Sequence, residues 1–223
     1  MLLSERSGFM RGVLFALGML ITGCSSKVAE REQFSGFLSD YSGLEPVKTA
    51  SGQEILRWVS PGFSESSYRS VYLAPVVYYP RAIPTERVSA ETLEQIRSYT
   101  EQQTRLALSK RLQLSSVPEK GGLEVRMAIT SVIAKNEDMH FYEVVPVAAV
   151  IGGAMALTGY RAQNSEFFLE FRVLDVSTGK DVIRVVRKGY GKTIPNSKTP
   201  IKKEDIKKAI DVMEKDLTDF PRN

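Results

Sequence analysis

A single cysteine, Cys24, stands in the whole chain of 223 residues, and it limits how everything after it can fold. Ahead of it lie Arg6 and Arg11 and then an apolar run over residues 13–21, VLFALGMLI. A membrane-spanning helix needs about twenty apolar residues. This run is too short for that, and its basic approach and small-residue ending read as a signal peptide over residues 1–23. The chain is therefore expected in an oxidising envelope, where one cysteine cannot close an intrachain disulfide. The fold must stand on its core alone. The roughly 200 residues beyond the leader are enough for one such core, and a hydrophobic content of 43% can fill it. Basic residues exceed acidic ones by only 30 to 26 and are scattered, which excludes the basic footprint of a nucleic-acid binder.

The residues before the cysteine are more specific than a generic cleavage site. Ile21-Thr22-Gly23-Cys24 puts an apolar residue three positions before the cysteine and a glycine directly before it. This resembles the lipobox of bacterial lipoproteins. The resemblance implies cleavage before Cys24, acylation of Cys24 and a mature N-terminus held in a membrane by fatty chains. An Asp after the cysteine typically retains such proteins at the inner membrane of two-membrane bacteria. Ser25 therefore implies the periplasmic face of the outer membrane. The polar, non-periodic stretch that follows makes residues 24–33 an expected tether, and residues 34–223 an expected single domain.

Along that domain, the segment 34–44 interleaves Phe34, Phe37 and Tyr41 with Ser, Gly and Asp, as a turn-rich segment pinned to a surface does. A short strand is expected over 54–60, with Trp58 as a plug against the core. A second is expected over 71–79, where Pro75 demands an edge or a bulge. Ser89 can cap a helix over 89–112, with Leu93, Ile96, Tyr99, Thr100, Leu106 and Ala107 on one face. Residues 124–134 alternate, Val125, Met127, Ile129 and Ile133 facing one way and Glu124, Arg126 and Thr130 the other. Phe167, Leu169, Phe171 and Val173 alternate in the same way against Glu166, Glu170 and Arg172. A turn at 175–181 returns the chain along 182–188. Thr199 and Pro200 are expected to open a last helix, whose inward stripe is Ile206, Ile210, Met213, Leu217 and Phe220. This order predicts an α+β two-layer sandwich, a mixed or antiparallel sheet of about four to five strands with two helices on one face.

FSGFLSDYSGLEP, EILRWVSP and SYRSVYLAPVVYYP together resemble a family of uncharacterised proteobacterial lipoproteins known only as a domain of unknown function. That resemblance carries no catalytic residues with it. The order of elements also resembles, in topology alone, the small α+β domains of the curli secretion channel lipoprotein, of penicillin-binding-protein activators and of the Tol-system propeller protein.

The chemistry legible in the chain is mostly chemistry excluded. Residues 189–193, GYGKT, end like a phosphate loop, but Val186 stands where the loop needs its first glycine. Ser177 and Lys180 have the spacing of penicillin-recognising enzymes, yet they fall in a turn rather than at a helix start. His140, the only histidine, has Glu137, Asp138 and Glu143 nearby and lacks the further nitrogen or sulfur ligands of a metal site. No catalytic residue, cofactor or metal is expected, and Cys24, as the lipid-bearing residue, is the one site assigned. The apolar stretch 144–157 lies in an unusually long connection between strands. A non-enzymatic outer-membrane lipoprotein is expected, binding an envelope component or a second copy of itself. The alternatives are a carrier of lipid or another small ligand, with residues 144–157 over its pocket, and an envelope hydrolase.

Overall fold

The computed structural model describes residues 28–136 and 162–221. The described chain runs β1 (Glu45–Lys48), β2 (Glu54–Val59), β3 (Ser70–Leu73), β4 (Val77–Tyr78), α1 (Ala90–Ser109), β5 (Gln113–Ser115), β6 (Leu123–Asn136), β7 (Gln163–Asp175), β8 (Asp181–Ile194) and α2 (Lys203–Thr218). These strands form one mixed sheet in the order β1-β2-β8-β7-β6-β3-β5, with β4 also paired to β6. The antiparallel centre is β8-β7-β6, while β3 is parallel to both β5 and β6. The helix α1 carries the chain back between β3 and β5, which is what a parallel pair requires. The fold is α+β, with both helices on one sheet face. The sheet has eight strands rather than four to five. Those missed outright are three or four residues long, too short to show alternation.

Period-two patterning places the core. Phe167 and Leu169 on β7 join Met127 and Ile129 on β6 under Leu93 and Ile96 of α1 and Ile206 and Ile210 of α2. Burying each such side chain contributes about 1.5–3 kcal/mol. Ser89 caps α1 as its sequence suggests, its hydroxyl accepting from Thr92 N at 3.0 Å. The inward face of that helix uses Thr104 and Leu108, whereas Leu106 is exposed. The helix α2 starts later than Thr199, because Ile201 is buried and its N–H is held by the Arg87 carbonyl at 2.8 Å. That bond keeps the preceding residues out of helical register. Pro75 divides the expected strand 71–79 into β3 and β4, since proline offers no N–H to a ladder. A bulge between Ile129 and Ser131 shifts the phase of β6, so Val132 rather than Ile133 joins the helix-side core.

The second sheet face is covered too, and by the segment whose sequence is most distinctive. Phe34, Phe37, Leu38 and Tyr41 pack with Leu56, Ile133, Phe168 and Val186, and Phe34 stacks on Tyr41 at 4.5 Å. Beneath them lies Glu170, fully buried. Its carboxylate accepts the Ser35 N–H at 2.8 Å and the Tyr41 hydroxyl at 2.6 Å. Burial, and then Glu170, push the Tyr41 hydroxyl up to about 12, so it stays a donor. The same oxygen accepts the Gly36 N–H at 2.8 Å. Arg184 pairs with the Asp40 carboxylate at 2.6 Å and sits over the Trp58 ring at 4.2 Å. Gly43, at φ 72°, lies against that indole, where a Cβ would stand 2.9 Å from Cδ1. Trp58 is thus half-buried under this clasp and does not plug the helix-side core. Ala29 is buried and Arg31–Gln33 form a 3-10 turn, so part of the stretch read as tether packs with the domain.

Candidate functional site

The inward row of α1 runs Leu93, Ile96, Thr100, Thr104. Thr100 and Thr104 are shorter than the residues before them, and Ala107 and Leu108 close the row. Residues of both helices and of the sheet line a cavity of about 360 Å³ beneath this half of α1, of the size that small-molecule sites begin at, about 300 Å³. Its wall is apolar, with Val71, Leu108, Leu123, Phe171, Ile183 and Leu217 among the lining side chains. The hydroxyls on α1 are already engaged. Thr100 donates to the Ile96 carbonyl at 2.8 Å and Thr104 to the Met127 sulfur at 3.6 Å. The exposed lining residues Lys48, Ala50, Asp219 and Pro221 mark the mouth.

Charged groups frame this space: Lys48 and Asp219 lie exposed at the mouth, and most of those set further in are paired. Arg187 of β8 forms a buried ion pair with Asp216 of α2 and donates to Gln53 Oε1 at 3.0 Å. Asp216 also accepts the Ser51 N–H at 2.7 Å and its hydroxyl at 2.9 Å. Burial raises the Asp216 carboxyl, but Arg187 and Ser51 outweigh it and hold the group below its ordinary value of 3.8. The Arg187 Nε is buried without a hydrogen-bond partner. Arg111 pairs with Glu65 at 2.5 Å and donates to the carbonyls of Leu217, Thr218 and Phe220. It thereby satisfies carbonyls that the end of α2 leaves open. Arg57 is different: its guanidinium lies 4.8 Å from the Phe220 ring, and no carboxylate lies in ion-pair reach among the described residues. Burial lowers its proton affinity.

The residues singled out in the sequence lie elsewhere. Cys24, the leader 1–23, His140 with its acidic neighbours and the apolar stretch 144–157 fall outside the described residues. Ser177 and Lys180 sit in the β7–β8 turn, where the Ser177 hydroxyl accepts the Gly121 N–H at 2.9 Å. Gly189 and Gly191 are packing glycines beneath α2. A Cβ on Gly191 would stand 2.1 Å from the Asp205 carbonyl oxygen. The cavity residues went unnoticed as a site in the sequence. The exchange of Leu and Ile for Thr along the α1 stripe was the one available sign.

Comparison with known proteins adds a family to this geometry. Residues 33–217 match the family described as "Protein of unknown function (DUF3313)". The chain belongs to this family. It is 39% identical over 205 residues to the "Uncharacterized lipoprotein YdcL" of Escherichia coli K12, covering 92% of each chain. Among solved structures it is similar to the PelC dodecamer of Paraburkholderia phytofirmans at a TM-score of 0.40 and 11% identity, over 76% of this chain and 98% of that one. A minor lipoprotein of Acinetobacter baumannii is similar at a TM-score of 0.32 and 12% identity, over 68% and 90%. At these scores neither structure bears on what this chain does. Among the described residues no helix is long and apolar enough to cross a membrane.

Proposed function

We propose that this DUF3313 chain is a lipid-anchored protein on the periplasmic face of the outer membrane, whose domain binds an apolar small molecule and catalyses no reaction. The anchor reading rests on the residues around Cys24, on Ser25 and on the naming of its E. coli relative as a lipoprotein. The binding reading rests on one observation, the apolar cavity of about 360 Å³. An engineered apolar cavity of about 150 Å³ already takes up benzene. The hydroxyls and all but one of the buried charges around the space are held by protein partners, which suits holding a molecule rather than reacting with it. The other reading, assembly with an envelope protein or a second copy, draws on the apolar stretch 144–157.

Two experiments test the proposal. Radiolabelled palmitate should enter the wild-type chain and not the Cys24→Ser variant, and that variant should leave the outer-membrane fraction. Equal fractionation of the two would refute the anchor. The neutral fluorophore N-phenylnaphthylamine should bind the full chain, and Val125→Phe should weaken that binding about tenfold. The added ring excludes two or more methylene equivalents, each contributing about 0.8 kcal/mol. A chain that binds no fluorophore, or a filled variant that binds it equally well, would sink the cavity reading.

A further inference from the structure

We infer that the cavity takes a single-chain anionic amphiphile, a fatty acid, with its acidic head at Arg57 and its hydrocarbon chain between the sheet and the two helices. This rests on the cavity reading above and adds the class of ligand. Size speaks first. At about 360 Å³ the space sits at the lower end of small-molecule sites, about 300–1,000 Å³, which suits one chain and leaves no room for a two-chain phospholipid.

The charges at the mouth speak second. Three cations that line or border the cavity have protein carboxylates: Arg111 with Glu65, Lys110 with Glu214, and Arg187 with Asp216. Arg57 has none. Its cross-strand neighbour Glu45 stands opposite it in the β1–β2 register, yet the guanidinium turns instead to the Phe220 ring, 4.8 Å away. Arg57 projects from β2 on the same face as Val185 of β8, so it borders the cavity wall. A guanidinium carries its fork of donors in one plane, the geometry that binds a carboxylate by two parallel hydrogen bonds. An amphiphile with one acidic end and one alkyl chain matches both parts of the site at once.

The test uses the purified full chain held in an amphipathic polymer. It is titrated with a fluorescent medium-chain fatty acid and with the matching neutral alcohol. The acid should bind about tenfold more tightly than the alcohol, as one charge-assisted pair allows. Arg57→Gln should erase that preference, bringing the acid to the affinity of the alcohol. Arg57→Lys, which keeps the charge and loses the planar fork, should retain part of the preference, which guards against a variant that merely misfolds. If acid and alcohol bind wild type equally, or if Arg57→Gln leaves their ratio unchanged, the head-group assignment is overturned and the cavity reading stands. If neither ligand nor the neutral fluorophore binds wild type, both are overturned.

Discussion

Arg187→Ala should cost the domain about 3–5 kcal/mol at neutral pH, because it strands a buried carboxylate. Arg187 and Asp216 each keep only 4% of the side chain exposed. The pair ties β8 to α2, and through Ser51 it also ties the β1–β2 turn to α2. In the wild type the Asp216 carboxyl is held below 3.8. Its contribution is therefore complete above that value and is lost as the pH falls through the folded-state value. In the variant the sign reverses. An unpaired buried carboxyl rises, so the folded state binds the extra proton and the variant loses stability as pH increases. The gap between the two proteins should therefore be widest near neutrality and close on acidification toward pH 4. Urea unfolding followed by Trp58 fluorescence at several pH values reads this directly. A gap independent of pH would mean that the loss comes from packing and not from the stranded charge. Arg187→Met combined with Asp216→Leu should recover most of the stability, since apolar replacement of a whole buried pair is often neutral.

How far the sequence foretold this architecture depends on the length of each element. The helix α1 and the strand β7 were legible because a capped, glycine-free helix and a thirteen-residue strand repeat their pattern often enough to be recognised. The strands β1 and β5 were not, because three or four residues carry no period, and β4 was legible only as a continuation of β3 across Pro75. Ile133 was placed on the wrong face for a different reason. The residue count across β6 is disturbed by one bulge, and every side chain beyond it changes sides. Adjacent apolar residues at Val132 and Ile133 were the visible trace. The cavity was illegible because it is a property of distance between layers, which a period cannot report. The clasp was half legible: its aromatics announced a pinned segment, but nothing local identified Glu170, far along the chain, as its anchor point.

That anchor point gives the second large effect. Glu170 alternates with Leu169 and Phe171 and was expected to face water, where its loss would matter little. Instead the 34–44 segment lies on it, and its carboxylate is the acceptor for one backbone N–H and one phenol. Glu170→Ala removes both acceptors while Phe34, Leu38 and Tyr41 still cover the site, so two half-buried donors lose their acceptor. The expected cost is about 3 kcal/mol, the loss of hydrogen bonds to a charged group together with the desolvation of their donors. The loss should be local in its first effect. Amides of residues 34–44 should exchange hydrogen far faster, while those of β7 and β8 stay protected, because the helix-side core of Phe167 and Leu169 is untouched. Glu170→Gln keeps the shape and one acceptor, and should fall between the two. Arg172→Ala is the control on the same face. Arg172 keeps 20% of its side chain exposed and meets Ser39 at 3.2 Å and Asp181 at 3.3 Å, so its loss should cost less than that of Glu170, about 1–2 kcal/mol. Small, equal losses at Glu170 and Arg172 would show that the segment is held by its aromatic rings alone. A large loss confined to Glu170, with exchange opening only over 34–44, would establish that one buried carboxylate fastens the N-terminal arm to the sheet.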